Sequence, residues 1–220
     1  MSQMQPEDVL AAGVDALGVP VSPGVQASLL AFLRMLVEWN GAYNLTAVRD
    51  PVEMVSRHLL DSLTVLPHLC GNSVADVGSG AGLPGIPLAI ADPKRRVVLL
   101  ESNGKKVRFL RHVVGRLGLS QVSVIQARAE STRLSPPVDT VVARAVADLA
   151  TLCDYARRLG VADVRMVAMK GPDVTAELAT LPADFVVQAV LPVVVPGLEA
   201  QRHLICLQRT SEQRIEIRDQ

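Results

Sequence analysis

Residues 74–85 read VADVGSGAGLPG, and they carry the strongest chemical signal in the chain. Val74 to Val77 form a short apolar strand. Gly78, Ser79 and Gly80 turn the chain, and Gly82 to Gly85 lead into a helix seeded by Ile86, Leu88 and Ile90. Glycine lets the backbone take a positive φ and removes the Cβ that would hold a ligand away. A strand, a glycine turn and a helix in succession make a nucleotide-type pocket at the carboxyl end of a strand. Glu101 closes a second apolar strand, Val97 to Leu100. An acid about twenty residues past such a loop accepts the ribose hydroxyls of an adenosine-bearing cofactor.

Spacing narrows the choice of cofactor. A dinucleotide fingerprint needs G-x-G-x-x-G, and its third glycine falls here on Leu83. The pattern present is G-x-G-x-G, preceded by Asp76. That loop suits an adenosine with an amino-acid tail better than a pyrophosphate. It resembles the loop of S-adenosylmethionine (SAM)-dependent methyltransferases of the Rossmann-like class. Binding of NAD and a tight turn without a ligand are the alternatives.

The elements that must position this loop divide into a helical lead and an alternating body. Ser22 before Pro23 is an N-cap with proline at the first helical position. Leu29, Leu33, Leu36 and Val37 then repeat at helical spacing up to Trp39. Asp50, Pro51 and Glu53 make a second start signal, and Val55, Leu59, Leu63 and Leu66 continue its apolar face. From Ser73 onward the pattern predicts strands at 73–77, 96–101, 122–126, 138–143, 164–170, 185–194 and 202–209, with helices at 85–91, 104–117, 145–159 and 173–180. Helical or crossover connections make the first five strands parallel, and the last two form an antiparallel hairpin. Seven mostly parallel strands with that ending resemble the methyltransferase sheet, so the expected fold is α/β: Rossmann-like class I methyltransferase, with an antiparallel edge hairpin and an N-terminal helical extension. Residues 1–70 are the extension packed on the core, and 71–220 are the SAM-binding core.

Bulk properties agree with a soluble enzyme. No apolar run is long enough to span a bilayer, and no leader opens the chain, so no membrane partner is expected. Cys70, Cys153 and Cys206 are scattered without a C-x-x-C, which predicts free thiols and no metal site. Net charge is zero but unevenly placed: residues 1–93 carry three basic and nine acidic side chains, and residues 94–116 carry eight basic against Glu101 alone. Lys105, Arg108 and Arg111 share one helical face, opposite Val107, Leu110, Val114 and Leu117. Such a block is a phosphate-binding surface or a solvated helix face. Trp39 is the one tryptophan, so a base-stacking sheet of the RNA-recognition-motif kind is not expected.

Residues 40–62, NGAYNLTAVRDPVEMVSRHLLDS, hold many polar groups for an apolar helical face. Taken singly, Asn44 and Thr46 are turn residues, His58 is a core histidine, and Arg57 with Asp61 is a surface i, i+4 pair. Taken with the loop they resemble a family. YNLT, RDP and RHLLDS precede DVGSGAGLPGIPLA, then KKVRFLR from Lys105, RAVADL from Arg144 and MKG at Met169 to Gly171. Motifs like these occur in this order in the RsmG family, also called glucose-inhibited division protein B, bacterial methyltransferases of guanine N7 in 16S ribosomal RNA.

The resemblance implies a cytoplasmic, SAM-dependent enzyme whose partner is 16S ribosomal RNA within a small-subunit particle. It implies cofactor contacts at Gly78, Leu83, Ala129, Glu130 and Arg144, beside Gly80 and Glu101 of the loop and the second strand. Arg144, Lys170, Asn44 and His58 become the catalytic candidates, and Lys105, Arg108, Arg111, Arg57 and Arg202 the RNA contacts. Guanine N7 carries a lone pair and no proton, so no general base is needed and placement with electrostatics suffices. No NPPY-type motif follows the fourth strand, which argues against exocyclic-amine chemistry. Overall neutrality and the closing SEQRIEIRDQ point to a substrate presented on a particle rather than naked RNA. A small-molecule or protein methyltransferase, and a SAM-binding assembly factor without turnover, are the other readings.

Overall fold

A computed structural model describes residues 4–210. Seven strands form one sheet: β1 (Ser73–Val77), β2 (Arg96–Glu101), β3 (Val122–Gln126), β4 (Val138–Arg144), β5 (Gly160–Lys170), β6 (Phe185–Val193) and β7 (Arg202–Arg209), ordered β3-β2-β1-β4-β5-β7-β6. The first five pair in parallel, while β7 is antiparallel to both β5 and β6. β5 begins at Gly160, earlier than the predicted 164, because Gly160 pairs with Val138 before a register shift. Positions 211–220 of the expected core lie outside the described residues.

Alternation along each strand builds two cores. Val74, Val97, Leu99, Val142 and Val167 face one side, and Ala75, Val77, Val98, Leu100, Val141 and Ala143 face the other. The first side is covered by α5 (Gly85–Ala91), α6 (Gly104–Leu117) and the helical lead; the second by α7 (Leu149–Leu159). The short α8 (Thr175–Leu178) is smaller than the predicted 173–180. α7 starts at Leu149 rather than 145, because the Asp148 side chain accepts from Thr151 N and caps it there, leaving 145–148 as a loop.

The lead contains α1 (Pro6–Leu17), which the sequence reading omitted, and α2 (Pro23–Tyr43), which runs past Trp39 to an Asn44 cap in the left-handed region. The signals for α1 are ordinary: proline at the first position, Glu7 and Asp8 in the first turn, and Gly18 at the C-cap. The helix expected from Asp50 is interrupted. α3 (Pro51–Met54) opens into a π-helical turn, Val55–Leu60, followed by α4 (Asp61–Leu63) and a 3₁₀ turn at Leu66–His68. π turns are rare and frequently mark functional sites. Among the described residues no helix is long and apolar enough to cross a membrane.

Candidate active site

The strand order reverses between β1 and β4, since β2 and β3 lie to one side of β1 and β4 and β5 to the other. In open α/β sheets the crevice outside the carboxyl ends at such a point is where ligands bind. The glycine loop follows β1 and Arg144 ends β4, so both stand at this crevice.

The loop is built for close approach. Gly80 has φ 57°, and a Cβ there would make only ordinary contacts, with Gly78 O at 3.7 Å and Lys106 Nζ at 4.0 Å, so there is room beside it. Gly78 has φ 64° and faces the β4–α7 loop: an added Cβ would lie 2.7 Å from Val146. Glu101, buried, braces the loop. Its Oε2 accepts from Gly80 N at 2.9 Å and its Oε1 from Asn103 N at 2.8 Å. Each oxygen keeps a second lone pair for a ligand hydroxyl. Leu83 is buried beneath the loop, with its amide donating to Ser79 O. An open glycine turn, a carboxylate at its side and a switch-point crevice fit a nucleoside-bearing cofactor.

Asp76 is the residue beneath this loop that the sequence reading noticed but did not assign. It is fully buried; Oδ2 accepts from Gly85 N at 2.8 Å, and Oδ1 has no partner. Burial raises its carboxyl from 3.8 to about 7, opposed by the Gly85 hydrogen bond and the Arg144 charge. The unfolded chain releases this proton near pH 3.8 while the folded chain keeps it to about 7. The stability linked to Asp76 is therefore complete below the lower value and is lost as pH rises through the upper one. Asp76→Asn is expected to remove that slope, worth on the order of a few kcal/mol, whatever constant offset it adds. Denaturant unfolding of both proteins at a series of pH values checks this; parallel curves between pH 4 and 7 would refute it.

Above the crevice the π turn docks on the sheet. Arg144 Nη1 donates to Arg57 O at 3.1 Å and to Asp61 Oδ2 at 3.2 Å. Asp61 is buried, and its other oxygen lies 3.8 Å from Arg202 Nε at the start of β7. Burial pushes the Asp61 carboxyl up, and Arg144 and Arg202 pull it back. The sequence reading paired Arg57 with Asp61; the structure pairs Arg57 with Glu53 at 2.5 Å instead. Ala145, next to Arg144, has φ 54°, a conformation uncommon without glycine and typical of functional loops.

Two of the expected catalytic side chains are engaged elsewhere. His58 is buried; its Nε2 meets Thr46 Oγ1 at 2.9 Å, and burial and then Arg144 lower its pKa to about 4, so the ring is a neutral strut. Asn44 caps α2, and its Oδ1 accepts from Arg49 at 2.7 Å. Buried Asn40, which the sequence reading did not single out, organises this turn through Thr46 N and Val48 O. Lys170 ends β5 at the crevice as expected, but its ammonium donates to Ala147 O at 2.6 Å and Glu177 Oε2 at 2.7 Å. Glu177 also receives Leu149 N, so Lys170 holds the loop after Arg144 in place rather than offering a free charge. Ala129 and Glu130 follow β3; Ala129 is buried, and the exposed Glu130 faces the Tyr155 hydroxyl. Burial drives the Cys153 thiol up to about 12, which leaves it inert as a nucleophile.

Lys105, Arg108 and Arg111 are exposed along α6. Its first turn holds Lys105 and Lys106 and no acid. Cations there oppose the helix dipole, at roughly 0.3–1 kcal/mol each. The Asn103 cap satisfies the backbone but not this charge.

Three comparisons bear on this geometry. A family model described as rRNA small subunit methyltransferase G matches residues 25–205. The ribosomal RNA small subunit methyltransferase G of Pseudomonas paraeruginosa is 51% identical over 205 residues, covering 93% of this chain and 96% of the relative. Among solved structures, a methyltransferase from Geobacter sulfurreducens aligns with TM-score 0.57 at 18% identity, covering 92% of this chain and 96% of that one. A SAM-dependent methyltransferase from Aquifex aeolicus aligns with TM-score 0.57 at 19% identity, over 76% and 97%. At these identities the last two establish the fold alone.

Proposed function

The chain belongs to the rRNA small subunit methyltransferase G family, and from that premise we propose how its residues divide the work of methylating guanine N7 in 16S ribosomal RNA. It is a SAM-dependent enzyme. When bound, SAM supplies a methyl group on a positively charged sulfur. The glycine turn at Gly78 and Gly80, with Leu83 beneath and Glu101 beside it, holds the nucleoside portion; Ala129 and Glu130 border it after β3. The observation that carries this reading is the uncrowded positive-φ turn at Gly80, set across the switch point from Arg144.

Arg144 is the group we assign to the guanine. An arginine grips the O6 edge of guanine, and this one stands at the crevice with its side chain partly exposed. Asp61 and Arg57 O fix its orientation, which makes Asp61 a positioning residue. Lys170 positions too, through the Glu177 and Ala147 contacts that hold the loop. His58 and Asn44 shape the turn that delivers the π-helical segment. The lone pair of N7 attacks without losing a proton, so a site with no free base suffices. Arg202 and Arg57 flank the mouth, and Lys105, Arg108 and Arg111 carry RNA phosphates. The substrate is the small-subunit particle, because the basic surface is one helix on a chain without net charge.

The test is methylation of small ribosomal subunits lacking the modification, with the product mapped by mass. One methyl group on guanine N7 is expected, and none would overturn the assignment. A K105A/R108A/R111A variant probes the phosphate face. Its log–log salt slope for particle binding is expected to fall by about 2 to 3, near 0.7–0.9 per contact, with SAM affinity unchanged. An unaltered slope would make the basic face a solvated surface.

A further inference from the structure

A groove of about 760 Å³ between α2 and the carboxyl-terminal half of α6 stands apart from the crevice; its lining includes Arg34, Glu38, Trp39, Tyr43, His112 and Arg116. α6 begins at Gly104, beside the carboxyl end of β2. His112 and Arg116 lie roughly 12–18 Å further along its axis. The Trp39 ring stacks on Tyr43 at 5.2 Å and meets His112 at 4.9 Å, with Phe109 behind it at 5.5 Å. The chain has one Trp, two Tyr and three Phe. Phe32 and Phe109 are fully buried in the core behind, whereas Trp39 and Tyr43 are only partly buried and present ring surface at the groove. Arg34 and Arg116 are both exposed, and neither has an ion pair or side-chain hydrogen bond among the described residues.

We propose that this groove binds an unpaired nucleotide of the ribosomal RNA substrate, at a distance from the guanine being methylated. The base stacks on the Trp39–Tyr43 pair, as unpaired bases do on aromatic side chains. Arg34 and Arg116 take the flanking phosphates. Glu38, the acid of the lining, accepts from a base amino group. Lys105, Arg108, His112 and Arg116 fall at i, i+3, i+7 and i+11, one line along α6. That line joins the groove to the crevice, with Lys105, Arg108 and Arg116 as the charges that a single strand would follow. The proposal rests on the reading that ribosomal RNA is the substrate.

Trp39 reports on the groove directly, because its fluorescence is the only tryptophan signal in the chain. A short single-stranded oligoribonucleotide is titrated at low salt into the full chain and into R34A/R116A, which leaves the Trp39–Phe109 packing untouched. Saturable quenching is expected in the unmodified protein, with binding weakened at least tenfold in the variant. The log–log salt slope of binding should fall by about 1.4, that is ~0.7 per phosphate on a single strand. SAM affinity should be equal in both. Absence of saturable quenching, or equal quenching in the variant, overturns the proposal. Methylation of small subunits by the unmodified protein, run alongside, separates a failure of the groove from a failure of the substrate assignment.

Discussion

Gly80→Val is expected to weaken SAM binding more than 100-fold while the chain stays folded. Its φ of 57° lies in the left-handed region, where a non-glycine residue costs roughly 1–2 kcal/mol and a β-branched one is an outlier. Packing adds little to that cost, because a Cβ at this position meets only a backbone oxygen at 3.7 Å and Lys106 Nζ at 4.0 Å. The isopropyl group instead fills the space in front of the loop. The strained backbone also turns the Gly80 amide, which donates to Glu101 Oε2 at 2.9 Å. Both effects fall on the ligand rather than on the core. Neighbouring glycines make useful contrasts: a Cβ at Gly82 would lie 2.6 Å from Ile86 and 3.0 Å from Leu110, so Gly82→Val damages the fold itself. A loss of 100-fold is about 2.7 kcal/mol. Calorimetry with SAM, read beside thermal unfolding, decides it; a folded Gly80→Val protein with ordinary SAM affinity would remove the loop from the binding site.

What local sequence encodes, the sequence reading recovered. The glycine loop, the strand before it and the acid after the next strand depend on φ preferences and period-two alternation within a few residues. The helical face of α6 is equally local. Periodicity misled where two structures share one pattern. Val55, Leu59 and Leu63 look alike in an α-helix and in a chain with a π turn, so the turn at Val55–Leu60 left no trace. Leu149, Leu152 and Ala156 extend their rhythm back toward Arg144, and only Asp148 three residues before Thr151 marked the true start of α7. α1 is encoded locally as well, since Pro6, Glu7, Asp8 and Gly18 supply its start and stop signals.

Pairings across the fold were beyond local reasoning. Arg57 and Asp61 have the spacing of a helical ion pair, and nothing nearby shows that Asp61 turns inward to Arg144, 83 residues on. Lys170 has the type and place of a substrate contact, and only the folded loop brings Glu177 to its ammonium. Asp76 could have been singled out. An acid at the buried end of a strand, immediately ahead of a glycine turn, has no solvent to meet and must satisfy the loop.

Arg144→Ala should lower the single-turnover methylation rate by about 10²–10³ at saturating small subunits and SAM, the range for removing one preorganised donor at a reacting centre. Saturation matters, because it separates placement of the guanine from capture of the particle. Arg144→Lys should rescue little: Nη1 alone makes both contacts, to Arg57 O and Asp61, and leaves Nε and Nη2 for the base, whereas a lysine has one nitrogen for all of them. The fold is at some risk in Arg144→Ala, since a buried Asp61 is left with Arg202 alone at 3.8 Å. The Asp61→Asn/Arg144→Ala double variant addresses this. It removes the stranded carboxyl, so its stability should recover while its rate stays low. Asp61→Asn alone keeps the arginine but loosens its anchor. Its rate should fall less, with the KM for the particle nearly unchanged, because orientation and not encounter is lost. If the double variant regains both stability and rate, Arg144 serves the fold and another group meets the guanine.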